Sequence, residues 1–147
     1  MRTSASIGGH PIHLMLVVFP FGLWIFSLVC DLIGLSVATS AVRHTVALYA
    51  MVGGLIGALA AAVPGFKELL YYKGGEPPVK KMALAHMAIN LTVVVLYGVN
   101  IWLRTSDPES LKISIIFLAI GVCMISVSGW LGGQMVPVHG VEIKKYE

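Results

Sequence analysis

Thr45 to Phe66 reads TVALYAMVGGLIGALAAAVPGF, a run without Asp, Glu, Lys, Arg or His. An α-helix rises about 1.5 Å per residue, so this run is longer than the roughly 20 residues that cross a hydrocarbon core about 30 Å thick. A barrel strand would be about ten residues long and alternate in polarity, and this run does neither. Three further runs share its character. Leu14 to Leu35 holds only Asp31, near its end; Met82 to Leu103 is interrupted only by His86; Ile113 to Val136 carries no charge. The chain is therefore expected to be an all-α integral membrane protein, a four-helix transmembrane bundle running up-down-up-down. Residues 1–147 form one domain, with spans at about 12–35, 43–66, 80–104 and 110–136.

Composition agrees. Of the 147 residues, 57% are hydrophobic and 12% charged, against about 25% charged in a soluble domain, and the mean hydropathy is +0.87. So few charges cannot cover a water-facing surface. The first run follows only Arg2 and is too long for a secretory signal, so it is read as a retained span. The pI of about 9.0 comes from cations at span ends, which argues against nucleic acid as a partner and for the lipid bilayer. Arg2, Lys67, Lys73, Lys80, Lys81, Lys144 and Lys145 fall on one side, and Arg43, Arg104 and Lys112 on the other. That bias predicts cytoplasmic termini by the positive-inside rule. Cys30 and Cys123 lie at different depths, and no disulfide is expected between them.

Pro11 suits a first helical turn, and Pro20 should kink the first span. Gly53, Gly57 and Ala61, with Gly54, Ala58 and Ala62 beside them, make small-residue stripes that allow close helix approach. Pro64-Gly65 should weaken the second span at its end, and the Lys73 to Pro78 segment reads as a non-helical loop. Asp107 and Pro108 suit the start of the fourth span. No internal repeat is legible.

Polar residues inside the runs carry the functional information. At 100° per residue, His13, Pro20, Trp24, Ser27 and Asp31 share one face of the first span, and His86, Asn90, Tyr97 and Asn100 share one face of the third. Polar groups in lipid are costly, so both stripes should turn inward. His10, His13, His86 and His139 collect at the end that carries the termini, while His44 lies at the opposite end beside Asp31. Imidazole ligates haem iron, zinc and copper, and bundle helices are where such sites are built. A haem needs one or two axial histidines, with Trp24 and Met15 available to line a slot; structural zinc usually wants Cys or carboxylate help, which is lacking at this depth. A single histidine is more often a hydrogen-bonded core or interfacial residue than a ligand. His86 stands out because it lies within an apolar span and needs a partner.

Gly9-His10-Pro11-Ile12-His13, Phe19 to Leu23 with Asp31, Ala60 to Gly65, His86 with Asn90, and Gly132-Gly133 with His139 to Val141 together resemble a bacterial four-span family, domain of unknown function 2231. The likeness covers nearly the whole chain. Leu14 stands where the family pattern has a second proline, and Lys67-Glu68 where it has an acidic residue soon after Pro64-Gly65. The resemblance implies a place in the bacterial inner membrane. Relatives joined to a Rieske iron–sulfur domain imply membrane redox chemistry, with a Rieske-type or other redox partner.

The leading expectation is a b-type cytochrome-like protein that holds haem b and transfers electrons. His86 and His13 are the axial candidates; His139 and His10 are reserves, and Asn90 and Trp24 are neighbours of the site. The alternatives are a cofactor-free accessory or structural subunit, and a metal-ion handling or transport protein that works as a homo-oligomer. No residue set supports hydrolysis or phosphoryl transfer.

Overall fold

The computed structural model describes residues 6–7, 10–36, 40–71, 77–107 and 110–135. Two short strands, β1 (Ser6–Ile7) and β2 (His10–Pro11), pair antiparallel at the start. Helices α1 (Ile12–Leu16) and α2 (Val18–Leu35) follow, then α3 (Ser40–Tyr71), α4 (Pro77–Ser106) and α5 (Leu111–Met135). The α1–α2 pair, α3, α4 and α5 are each long and apolar enough to cross a membrane.

Proline explains where several elements begin and break. The turn at Val17 that divides α1 from α2 lies just before Pro20, whose ring has no N–H to give to the preceding turn. Pro11 stands in extended conformation immediately before α1, which begins at Ile12. Two boundaries differ from expectation. α3 runs through Pro64 to Tyr71 instead of ending near Phe66, and α4 begins at Pro77 inside the expected loop. The first-turn N–H groups of a helix lack partners in any case, so Pro77 and Pro78 cost α4 nothing.

The usual soluble arrangement is inverted. Phe19, Tyr49, Ile56, Val63, Leu70, Val95, Trp102 and Trp130 are exposed, whereas Ser27, Asp31, Asn100, Ser114 and Ser128 are buried. Such a surface suits lipid, where polar groups must find their partners inside the bundle.

Those interior partners reveal a duplication. On α1 and α2, His13 donates from Nδ1 to the Ala61 carbonyl (2.9 Å), Trp24 from Nε1 to Met51 (3.1 Å) and Ser27 from Oγ to Ala47 (2.7 Å). On α4, His86 donates from Nδ1 to the Ser128 carbonyl (2.8 Å), Tyr97 from its hydroxyl to Leu118 (3.1 Å) and Asn100 from Nδ2 to Ser114 (2.9 Å). The donors 13 and 86, 24 and 97, and 27 and 100 each differ by 73 residues, as do Asp31 and Arg104. The acceptors 61 and 128, 51 and 118, and 47 and 114 each differ by 67. Hence α1–α2 with α3, and α4 with α5, are two copies of one antiparallel hairpin. A pseudo-two-fold axis along the bundle relates them, and α2 and α4 run parallel across it. The expectation of no repeat is overturned.

Close approach repeats along with the hydrogen bonds. Trp24 lies over Gly54, and Tyr97 lies over the equivalent Gly121. The two rings then stack on each other across the axis, with centroids 4.1 Å apart and planes at 19°. A methyl group at Gly121 would overlap the Tyr97 ring, while one at Gly98 meets nothing within 4 Å. Gly121→Ala should therefore cost about 1–3 kcal/mol of stability and Gly98→Ala essentially none. Denaturant titration in mixed micelles would measure both, and equal effects would contradict this packing.

A symmetric histidine pair and an asymmetric ion pair

Three layers of side chains meet across the pseudo-axis: His13 with His86, Trp24 with Tyr97, and Asp31 with Arg104. The first layer is the candidate site. His13 sits in α1, directly after the Pro11 start, and His86 lies in the third turn of α4. Their ring centroids are 6.2 Å apart and their planes stand at 86°. Gly65 lies against the His13 ring and Gly132 against the His86 ring, again separated by 67 residues.

The backbone decides the tautomer. A carbonyl oxygen can only accept, so the Nδ1 atoms facing Ala61 and Ser128 carry the protons. Each Nε2 is left with its lone pair, the form in which histidine binds metals, and a second-shell carbonyl is the usual way of holding it there. Pro64, inside α3, withholds a donor from the Ala60 carbonyl, one residue before the Ala61 carbonyl that accepts from His13.

Asn90 sets the other side of His86. Its Nδ2 lies 2.8 Å from the His86 carbonyl, 2.8 Å from Ser128 Oγ and 3.0 Å from His86 Nε2. An amide nitrogen has two hydrogens for these three acceptors. Asn90 can therefore release Nε2 and keep both hydrogens bonded. A ligand arriving at Nε2 would leave no donor stranded.

The remaining candidates fall elsewhere. Trp24 lies eleven residues beyond His13, roughly 16 Å further along the helix, and is fully buried in the core with its N–H on Met51. It belongs to the central stack and not to the neighbourhood of His13. His10 is exposed on β2, paired with Ile7, and Met15 is exposed as well. His139 and Pro108 lie outside the described residues. Cys30 and Cys123 are free thiols.

At the opposite end His44 Nδ1 lies 2.8 Å from Asp31 Oδ1, and Arg104 Nη2 lies 2.5 Å from the same oxygen. The sequence placed His44 beside Asp31 but gave no direct sign that Arg104 joins them. The signal for Arg104 was the His13–His86 spacing, which recurs between Asp31 and Arg104.

With this geometry in place, comparison with known proteins is informative. The family described as "Predicted membrane protein (DUF2231)" matches residues 9–145. The chain belongs to this family. The match takes in both hairpins and both histidines. No curated protein and no solved structure matches the chain.

Proposed function

We propose that this DUF2231 protein holds one b-type haem between His13 and His86 and transfers electrons within or at the membrane. The observation that carries the reading is the paired histidines with both Nδ1 protons bound to backbone carbonyls. The ring centroids are 6.2 Å apart, near enough that both imidazoles could reach one bound group. The donor set favours haem over a bare cation. The macrocycle brings four nitrogens of its own, so two histidines complete the iron, whereas zinc usually wants three or four protein ligands. Two facing histidines with carbonyl-held Nδ1 atoms are a donor set that a haem could use.

When bound, the haem iron would supply one-electron chemistry. The chain's own residues would set its orientation: the Ala61 and Ser128 carbonyls fix the two rings, and Gly65 and Gly132 leave them room. A Rieske-type or other redox partner fits this role, as does a second copy of the chain. We place the protein in a bacterial inner membrane with both termini cytoplasmic, on the distribution of Lys and Arg. Reporter fusions at Glu147 and near Asp107 test that placement, and periplasmic activity at Glu147 would overturn it. The direct test of function is the absorption spectrum of the purified protein after haem addition. A Soret band that shifts on reduction supports the proposal, and a protein that stays colourless contradicts it.

The Asn90 contact to His86 Nε2 favours a second reading, a cofactor-free accessory subunit in which the polar layer only locks helices together. Asn90→Ala separates the two. On the haem reading the variant still takes up haem, because Nε2 is freed. On the locking reading it loses about 1–3 kcal/mol of stability and gains no chromophore.

A further inference from the structure

The duplication separates the contacts that hold the bundle together from the polar groups it carries in addition. Each hairpin needs a donor on one helix and a carbonyl on the next. Ser27 Oγ meets that need with the Ala47 carbonyl, and Asn100 Nδ2 with the Ser114 carbonyl. The second hairpin carries more than this. Asn100 adds a side-chain oxygen, and Ser114 has a hydroxyl where its counterpart Ala47 has only a methyl group. Both residues are fully buried, and Asn100 Oδ1 and Ser114 Oγ have no partner among the described residues.

The neighbouring layer shows the same surplus. Asp31 and Arg104 meet through Oδ1 and Nη2, while Asp31 Oδ2 and Arg104 Nη1 are buried without a partner among the described residues. Asn100 precedes Arg104 by one turn of α4, and Ser27 precedes Asp31 by one turn of α2, so the two layers stack about 6 Å apart. Four unpartnered polar atoms from α2, α4 and α5 thus gather in two adjacent layers. A cavity of about 240 Å³ adjoins them, since Arg104 and Ser110 line it and lie one turn from Asn100 and Ser114.

A buried polar atom without a partner is costly, and a buried ion pair needs its remaining lone pairs and protons bonded. The mixture of atoms selects what can bond them. Asp31 Oδ2 and Asn100 Oδ1 only accept, Arg104 Nη1 only donates, and Ser114 Oγ does either. The charges of Asp31 and Arg104 already offset each other. A cation would sit beside the guanidinium, and an anion beside the carboxylate and the Asn100 oxygen. Water both donates and accepts, and it adds no charge. We propose that ordered water occupies these two layers, bonded to Asp31, Arg104, Asn100 and Ser114, with the adjoining cavity as its route to solvent. The stacked rings of Trp24 and Tyr97, fully buried in the next layer, close this pocket toward the histidine pair. The site is independent of that pair, and its test reads neither haem nor electron transfer.

The experiment uses the full chain in detergent and counts long-lived internal waters by oxygen-17 magnetic relaxation dispersion of the solvent. The comparison variant is Asn100→Ser with Ser114→Ala, which gives the second hairpin the Ser27–Ala47 pairing of the first. It removes two of the four atoms and keeps a donor for the residue-114 carbonyl. Wild type should show long-lived waters, and the variant should lose about one or two per chain. Equal dispersion in the two proteins, or none from wild type, overturns the proposal. An unfolding midpoint that rises several degrees in sodium over choline at equal ionic strength, in wild type and not in the variant, assigns a cation and also overturns it. Should the double variant fail to fold, Ser114→Ala alone decides: a smaller dispersion supports the site and an unchanged one refutes it.

Discussion

If the protein holds haem as proposed, His86→Ala is expected to abolish haem uptake, and His13→Ala to abolish it to the same extent. This equality is what the duplication adds. The two histidines occupy equivalent positions in the two hairpins, each bonded to a carbonyl and packed on a glycine. An arrangement with one strong ligand and one bystander would give unequal losses. His13→Ala leaves the Ala61 carbonyl behind, and His86→Ala leaves the Ser128 carbonyl and hydroxyl and an Asn90 amide that keeps other acceptors, so the helical fold should survive, as far-UV circular dichroism would show. Added imidazole should restore part of the Soret absorbance in both variants, because it refills the vacated position. Failure of rescue in a folded variant, or full absorbance after either substitution, would remove the residue from the ligand set.

Arg104→Ala should destabilise the protein by about 3–5 kcal/mol, because it strands a buried carboxylate. Asp31 is wholly buried, and its Oδ2 has no partner among the described residues, so the charge rests on Arg104 and His44 at Oδ1. Asp31→Asn with Arg104→Gln should cost much less than Arg104→Ala, since neither charge is then left alone. Denaturant titration in mixed micelles gives both numbers. An Arg104→Ala variant as stable as wild type would mean that the ion pair is exposed to solvent, contrary to the burial described.

What could be read from the residues alone depended on how each signal is carried. The four spans were legible because a long run without charges has one cheap solution in lipid. The inward stripes followed from helical period, and Trp24 and Tyr97 do meet across the axis. Helix ends were less legible, since Pro64 and Pro77 disrupt a helix in one position and are tolerated in another. The duplication was hidden because the pattern keeps donors and changes their chemistry: Trp24 becomes Tyr97, Ser27 becomes Asn100, and Asp31 becomes Arg104. Within the aligned interior layers His13 and His86 keep their identity, as do Gly54 with Gly121 and Gly65 with Gly132. The acceptors were invisible for a further reason. Ala61 and Ser128 act through backbone carbonyls, which no side-chain pattern records. Arg104 lay at a span end and was read as a charge that sets orientation, a role that told nothing of its partner.

The haem proposal has His13 and His86 together holding one haem. Electron paramagnetic resonance of the ferric protein, titrated with haem, tests it most directly. The imidazole planes stand at 86°, and two histidines that held a haem at that angle would give a highly anisotropic low-spin signal. That signal is expected to saturate at one haem per chain and to be absent from both His13→Ala and His86→Ala. A high-spin signal, or a low-spin signal that survives loss of either histidine, would contradict it.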